Sequence, residues 1–253
     1  MKQNFKIFLL VLFLLGIGNN AFAQNSQAIP FPKIGIDVGT ADSPSEVSTT
    51  LQILLLMTIL SLAPSILIMT TSYLRLIIVF HFLKTALGTQ SMPPSQLLAG
   101  IALFVTFFVM SPTFSRINDE ALEPLMNGEI EVEAAMDKGI EPLREFMLNN
   151  VRDEDIALFV DMADMDMPET RVELPTYILL PAFAISELRA GFIIGFFIFI
   201  PFIMVDMIIA SILLSMGMMM IPPMMISLPF KILLFILIDG WSLIIGSVIR
   251  SFG

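Results

Sequence analysis

Cysteine is absent from this chain of 253 residues, and histidine occurs once. Without cysteine there is no disulfide and no thiolate chemistry, and one histidine cannot build a cluster of imidazole metal ligands. Charged residues make up 14% of the chain, against about a quarter in soluble proteins. The few basic side chains form no patch that would neutralise phosphates, which excludes nucleic-acid binding. A phosphate-binding loop motif is also absent, so nucleotide hydrolysis would belong to a partner.

Apolar residues dominate what remains. They make up 56% of the chain, the mean hydropathy is +0.87, and apolar stretches recur along most of the sequence, as in a membrane-associated protein. The net charge of −10 is unevenly distributed. Residues 116–173 hold 17 acidic and 5 basic side chains, whereas the remainder holds 6 acidic and 8 basic ones. One acidic polar region therefore separates two apolar parts.

The first 23 residues resemble a cleavable secretory signal peptide. Two lysines precede an apolar run at residues 7–17, which is too short to span a bilayer comfortably. The small residues that follow predict cleavage between Ala23 and Gln24, which would place the mature N-terminus outside the cytoplasm. The alternative is a retained membrane anchor, and an intact Met1 in the mature protein would establish it.

Charge-free stretches predict the apolar helices. Val47–Leu74 and Thr85–Ser115 are each long enough for a bilayer-spanning helix, and Pro64 predicts a kink in the first. We therefore predict an all-α fold of long, kinked apolar helices in helical hairpins. The predicted segments are the signal peptide (1–23), an extended arm (24–46), a first apolar helical hairpin (47–115), an acidic, extracytoplasmic (periplasmic) helical region (116–173) and a second apolar hairpin (174–253).

Apolar residues in the acidic region recur at roughly helical spacing, which predicts amphipathic helices with acidic outer faces. Three aspartates (161, 164 and 166) do not match the spacing of a calcium-binding loop and lack its glycine and terminal glutamate. We therefore predict a solvated acidic face and no metal site. The apolar residues at helical spacing are Ile130, Ala134, Ile140, Leu143, Met147 and Val151.

Charged side chains inside the last apolar stretches need partners. A charge at the centre of a bilayer costs about 2.5–3.5 kcal/mol on insertion scales. None of the five has an opposite charge three or four residues away on its own helix. Their partners must come from other segments or other subunits. The five residues are Glu187, Arg189, Asp206, Lys231 and Asp239.

Glycines and methionines add two further features. Gly191 and Gly195 form a small-residue strip that permits close helix approach, although such spacing also arises by chance. Met218–Met220 are three adjacent methionines, with Gly217 before them and Pro222-Pro223 after them, so the backbone breaks on both sides. Flexible thioethers on an irregular turn suit a seal or a promiscuous apolar contact. The alternative is that they are ordinary core methionines.

Long motifs resemble one family. They are ISELRAGFIIGFFIFIPFIMVDMIIASILLSMGMMMIPPMMISLPFK at 185–231, IDGW at 238–241 and TSYLRLIIVFHFLKTALGTQSMPPSQLLAG at 71–100. The chain resembles the FliP family, export-gate subunits of flagellar type III secretion, together with its virulence-secretion relatives. The resemblance covers essentially the whole mature chain. The acidic region and the arm look like the variable parts of the family.

The resemblance implies a structural role without cofactors. It implies that several copies, in a pentameric ring, assemble with FliQ, FliR and further export-gate components into a helical pore for unfolded flagellar proteins. It implies a location at the flagellar basal body, in the bacterial inner membrane and on its periplasmic side, with the complex largely outside the plane of the lipid. It also implies that Met218–Met220 form a gasket around the closed channel. Gly217, Pro222 and Pro223 would then serve as hinges of the loop.

The unpartnered charges suggest a contact between subunits. We predict that Glu187 and Lys231 pair between neighbouring copies, because both border the apolar segments that flank the methionine loop. Weaker candidates for the same kind of role are Arg75, Lys84, Asp206 and Asp239.

Two other classes compete with the export gate. A secondary transporter of a small solute also has broken helices and intramembrane charges, but the sequence has no internal repeat and no convergent polar cluster. An enzyme is disfavoured because the sole histidine, His81, lies among apolar residues and no serine has a nucleophile-elbow pattern. We therefore predict that the chain is not an enzyme.

Overall fold

The computed structural model describes residues 44–89, 92–218 and 220–252. Every regular element within these ranges is helical, which confirms the predicted all-α class. The predicted cleavage site between Ala23 and Gln24 lies outside the described residues, and so does most of the predicted arm.

The chain divides into two units, Met1–Leu51 and Gln52–Gly253. In the first unit, the described residues are the beginning of helix α1. The other helices lie in the second unit, where a π-helical turn at Asn118–Leu122 and a 3-10 turn at Arg171–Glu173 interrupt the series. The α-helices are α1 (Pro44–Met69), α2 (Tyr73–Leu87), α3 (Ser95–Val109), α4 (Ser111–Ile117), α5 (Glu123–Met126), α6 (Val132–Asn150), α7 (Asp153–Met162), α8 (Thr176–Ser215), α9 (Pro223–Leu237) and α10 (Gly240–Arg250).

Helix α2 lies at the centre of the apolar core. It packs along α8 over most of its length and also contacts α3 and α9. The sequence of α2 permits this because apolar residues lie on several of its faces, so it is covered from more than one side. Its fully buried side chains pack with Phe202 of α8, Phe235 of α9 and Val248 of α10. The buried residues of α2 in this core are Leu76, Val79, Phe80, Leu83, Ala86 and Leu87.

Helix α8 is 40 residues long and continues through Pro181 and Pro201. Its first turns support the acidic region, because α6 and α7 pack against it around a second apolar core. Its later turns pack against α9, which runs on to α10 through a bend of 63°. At this bend Asp239 is left-handed (φ 49°), and a methyl group at Gly240 would lie 2.2 Å from Cε2 of Phe235. Only glycine fits beside that ring.

Apolar side chains also cover much of the outer surface. Leu51–Met69 of α1 contains no buried residue, and large apolar side chains are exposed around its whole circumference. Within the part of the chain that the structure describes, two helices, Leu51–Met69 and Thr176–Ser215, are long and apolar enough to cross a membrane. The count rises to four if each bent pair, Ser95–Val109 with Ser111–Met126 and Pro223–Leu237 with Gly240–Arg250, is one span.

Candidate functional site

The methionine loop, residues 216–222, connects α8 to α9. Helix α8 ends in a Schellman motif: the Gly217 N–H donates to the Leu214 carbonyl (3.1 Å), and the Met218 N–H donates to the Leu213 carbonyl (2.9 Å). Gly217 is left-handed at φ 75°, a conformation that glycine adopts without steric cost. The helix therefore ends at a defined residue, and the loop begins immediately after it.

Prolines define the other border of the loop. Pro222 is extended and precedes the first residue of α9, Pro223, whose ring restricts φ to the helical value and whose missing N–H costs no helical hydrogen bond. Met218 is 41% exposed and Met220 is 97% exposed, so neither is a core methionine within this chain. Met219, the middle residue of the predicted gasket, lies outside the described residues.

A polar cluster lies on α9 two turns beyond the loop. The Lys231 ammonium donates to Oδ2 of Asp206 at 2.6 Å and to the Ala86 carbonyl at 3.1 Å. The Ser227 hydroxyl donates to the other carboxylate oxygen of Asp206 at 2.6 Å. Ser227 and Lys231 are buried, whereas the Asp206 side chain is 31% exposed. These contacts join α9 to α8 and to the carboxyl end of α2.

A second cluster lies at the other end of α2. Arg75 Nε donates to Oε2 of Glu187 at 2.9 Å, and Nη2 donates to Oε1. Its Nη1 donates to the carbonyl of Ser251 at 2.6 Å and to the hydroxyl of Ser251 at 2.8 Å. Phe252 covers the guanidinium plane, with its ring centroid 3.7 Å from Cζ. Arg75 and Glu187 are both buried, so this ion pair is closed off from water.

The predicted partners Glu187 and Lys231 therefore lie in different clusters of one chain. Glu187 pairs with Arg75, and Lys231 pairs with Asp206. Other segments of the same protomer supply the partners that each helix lacks, so neither charge requires a neighbouring subunit. The pairing of Glu187 with Lys231 between subunits stays a prediction.

The remaining predicted charges are more accessible. Lys84 donates to the Ser95 hydroxyl at 2.8 Å near the α2–α3 turn. Arg189 and Asp239 are exposed and form no ion pair among the described residues. These two are the charges for which another molecule could still supply a partner.

The glycine strip of α8 faces α2. A methyl group built on Gly195 would lie 2.5 Å from Cδ2 of Phe82, and one on Gly191 would lie 3.0 Å from Cβ of Ile78. Real Cβ atoms essentially never come as close as the first of these distances. The two helices can approach this closely because position 195 carries no side chain.

Sequence reasoning missed three side chains of the two clusters. Ser251 and Phe252 lie at least 176 residues from Arg75 in the chain, and Ser227 lies four residues before Lys231 in a stretch that is otherwise apolar. The spacing of Ser227 and Lys231 was the available signal, because residues four apart share a helix face. No comparable signal pointed to the last residues of the chain.

No group of three or more His, Asp or Glu side chains in the described residues could hold a metal ion. The aspartates at 161, 164 and 166 lie at the end of α7 and in the segment after it. Asp164 is left-handed at φ 52° and ends α7, as its N–H donates to the Asp161 carbonyl at 3.1 Å.

Taken together, the described residues define a class: a helical protein with extensive apolar surface, one buried and one partly exposed ion pair between its helices, and an exposed methionine loop. A model of the FliP family matches residues 56–248. The chain belongs to the FliP family, which confirms the resemblance inferred from its motifs.

Curated relatives agree with this assignment. The chain is 55% identical over 217 residues to the flagellar biosynthetic protein FliP of Bacillus subtilis (strain 168), covering 86% of this chain and 98% of the relative. It is 47% identical over 219 residues to the protein of that name from Caulobacter vibrioides, covering 87% and 82%. The relative from Borreliella burgdorferi is 42% identical over 256 residues, covering 100% of both chains.

Proposed function

We propose that this chain is a pore-forming subunit of the flagellar type III protein export gate. Several copies, with FliQ and FliR, would form a channel through which unfolded flagellar proteins leave the cytoplasm. The complex would lie in the inner membrane and on its periplasmic side, at the flagellar basal body. The methionine loop would seal the closed channel.

The exposure of Met218 and Met220 is the observation that carries this proposal. Both thioethers project from a loop whose ends are fixed by a Schellman motif and by two prolines. Side chains with three flexible torsions, repeated around a ring of copies, can close on one another and then deform around a chain of any sequence. A rigid aromatic ring or a charged side chain would not adapt in this way.

The exposed apolar surface supports an assembled state. Large apolar side chains are exposed on α1, α8 and α9 together, more than single scattered residues on a soluble monomer. Membrane lipid and other subunits are the environments that would cover them.

The test is ion conductance across membranes that carry the assembled complex. The variant M218A/M219A/M220A shortens all three side chains without adding charge. We expect it to assemble and to conduct ions while the parent complex stays tight. Equal tightness of both complexes would place the constriction elsewhere and contradict the gasket.

A matched control removes three exposed methionines far from the loop in sequence. Met126, Met136 and Met162 are 86%, 62% and 72% exposed and lie in the acidic region. The variant M126A/M136A/M162A should remain tight. A leak from this control would show that loss of methionine in general, rather than of the loop, opens the complex.

A small-solute transporter remains the second candidate, and it predicts a different result. Uptake of solute by proteoliposomes containing this chain alone would support it. The buried charges weigh against it, because Arg75 with Glu187 and Lys231 with Asp206 are already satisfied by one another.

A further inference from the structure

We infer that Lys231 is a positioning residue for the seal, acting as a clasp that holds α9, and with it the methionine loop, against the carboxyl end of α2. The part of this inference that concerns the seal rests on the proposed function. The geometric part, that Lys231 fixes α9 relative to α2, concerns the single chain and can be tested separately.

The carbonyl of Ala86 is the unusual partner of Lys231. It belongs to the last turn of α2, where backbone carbonyls lack an N–H donor within the helix and carry partial negative charge. The ammonium donates to it at 3.1 Å in a place where Lys231 is only 3% exposed. An ammonium both satisfies this buried carbonyl and complements the negative end of the helix dipole.

One face of α9 extends from the methionine loop to the clasp. Pro223, Ser227 and Lys231 are spaced four residues apart and share a face of the helix. Ser227 and Lys231 both donate to Asp206 of α8, one to each carboxylate oxygen. Eight residues of helix separate Lys231 from the start of α9, or about 12 Å at 1.5 Å per residue.

The turn after α2 touches the same face. Gly88 ends α2 in the left-handed region, at φ 72°. A methyl group there would lie 3.6 Å from Nζ of Lys231 and 3.9 Å from Cε of Met224, which lies in the first turn of α9. The end of α2 therefore contacts α9 at the clasp and lies close to its first turn, beside the loop.

Loss of the ammonium would release α9 from the Ala86 carbonyl, while Ser227 would still join α9 to Asp206. The Ala86 carbonyl would lose its donor at a site where Lys231 is buried, which disfavours the clasped arrangement. The loop is joined to α8 by the Schellman motif and to α9 by Pro222-Pro223, so movement of α9 displaces it.

Distance measurements test the geometric part on the full chain. The native chain has no cysteine, so T89C and M225C introduce two unique spin-label sites, one in the turn after α2 and one in the first turn of α9. We expect a narrow distance distribution that K231R preserves and K231M broadens. An unchanged distribution in K231M would overturn the clasp.

A charge swap separates the clasp from a simple ion pair. D206K/K231D restores opposite charges but places a carboxylate opposite the Ala86 carbonyl. We expect the swap to broaden the distribution as K231M does. If the swap instead restores the narrow distribution, the ion pair alone positions α9 and the role of the α2 carbonyl is wrong.

Conductance of the assembled complex tests the link to the seal. We expect K231R to stay tight and K231M to leak as M218A/M219A/M220A does. A tight K231M complex beside a leaking methionine variant would overturn the role of Lys231 in the seal and leave the proposed function standing. A tight methionine variant would overturn the proposed function, while the distance measurements still decide the geometry.

Discussion

Arg75 uses all its donor nitrogens inside the protein. Nε and Nη2 bind Glu187, Nη1 binds Ser251, and the ring of Phe252 covers the guanidinium face. Arginine suits this site better than lysine because its planar fork binds a carboxylate with two parallel hydrogen bonds and stacks on an aromatic ring. The same Phe252 ring stacks on Phe146 of α6, so one residue connects this ion pair to the acidic region.

Removing one partner of this pair strands the other as a buried charge. We expect E187Q to destabilise the chain by about 3–5 kcal/mol, the usual cost of breaking a buried ion pair. Thermal unfolding of the purified chain in detergent measures it. The control is the exposed pair of Arg152 and Glu154: E154Q should change stability by less than about 1 kcal/mol.

Charge swaps distinguish the two pairings considered for Glu187. If Arg75 is its partner, R75E/E187R should recover part of the complex that R75E alone loses. Recovery would be partial, because a glutamate at position 75 cannot donate to Ser251. If Glu187 pairs with Lys231 of a neighbouring copy, E187K/K231E should recover assembly instead. The yield of assembled complex from membranes decides between them.

At the scale of elements, local signals predicted where helices end. Gly217 and Pro222-Pro223 were predicted breaks, and α8 ends at Ser215 while α9 begins at Pro223. Steric restriction by proline and the freedom of glycine act within a few residues, so the sequence shows them directly. The buried face of α6 was less predictable: Met147 is buried as its spacing indicates, but Ala134 is exposed and Ala135 is buried.

The difference between the predicted and the observed buried face of α6 has a physical cause. Periodicity identifies an apolar stripe on an isolated helix, but the buried face depends on which neighbours pack there. Helix α6 contacts α4, the π-helical turn and α8, and the sequence of α6 alone shows none of these neighbours. The ion pairs show the same limit, since Arg75 and Glu187 are 112 residues apart and no local spacing connects them.

Close packing of α2 on α8 gives a prediction at this scale. G195A should destabilise the chain by about 1–3 kcal/mol, the usual cost of overpacking, because its methyl group would overlap the Phe82 ring. G191A should cost less, since its nearest contact is 3.0 Å. The control is G100A in α3, where nothing lies within 4 Å and alanine should stabilise the helix by about 0.5–1 kcal/mol. Equal effects of G195A and G100A on thermal unfolding would contradict the close approach.

At the scale of the whole molecule, the acidic region shares its core with α8. Met147, Val151, Ile156 and Val160 pack with residues that follow the acidic segment in the chain. The later residues of this core are Leu174, Ile178, Leu179, Ala182 and Phe183. Two polar contacts cross the same boundary: Ser186 donates to buried Asp155 at 2.6 Å, and Arg144 donates to the Leu174 carbonyl at 2.7 Å.

This shared core predicts how fragments behave. Burying Ile178, Leu179 and Phe183 contributes about 1.5–3 kcal/mol each, a sum comparable to the net stability of a small domain, about 5–15 kcal/mol. A fragment of residues 116–173, whose limits follow the charge distribution of the sequence, should therefore lack a cooperative thermal transition in circular dichroism. A fragment of residues 111–186 adds α4 and the first turns of α8, and it should melt cooperatively. A cooperative transition in the shorter fragment would mean that the acidic region folds without α8. The large apolar side chains at the start of α8 would then pack against something other than this core.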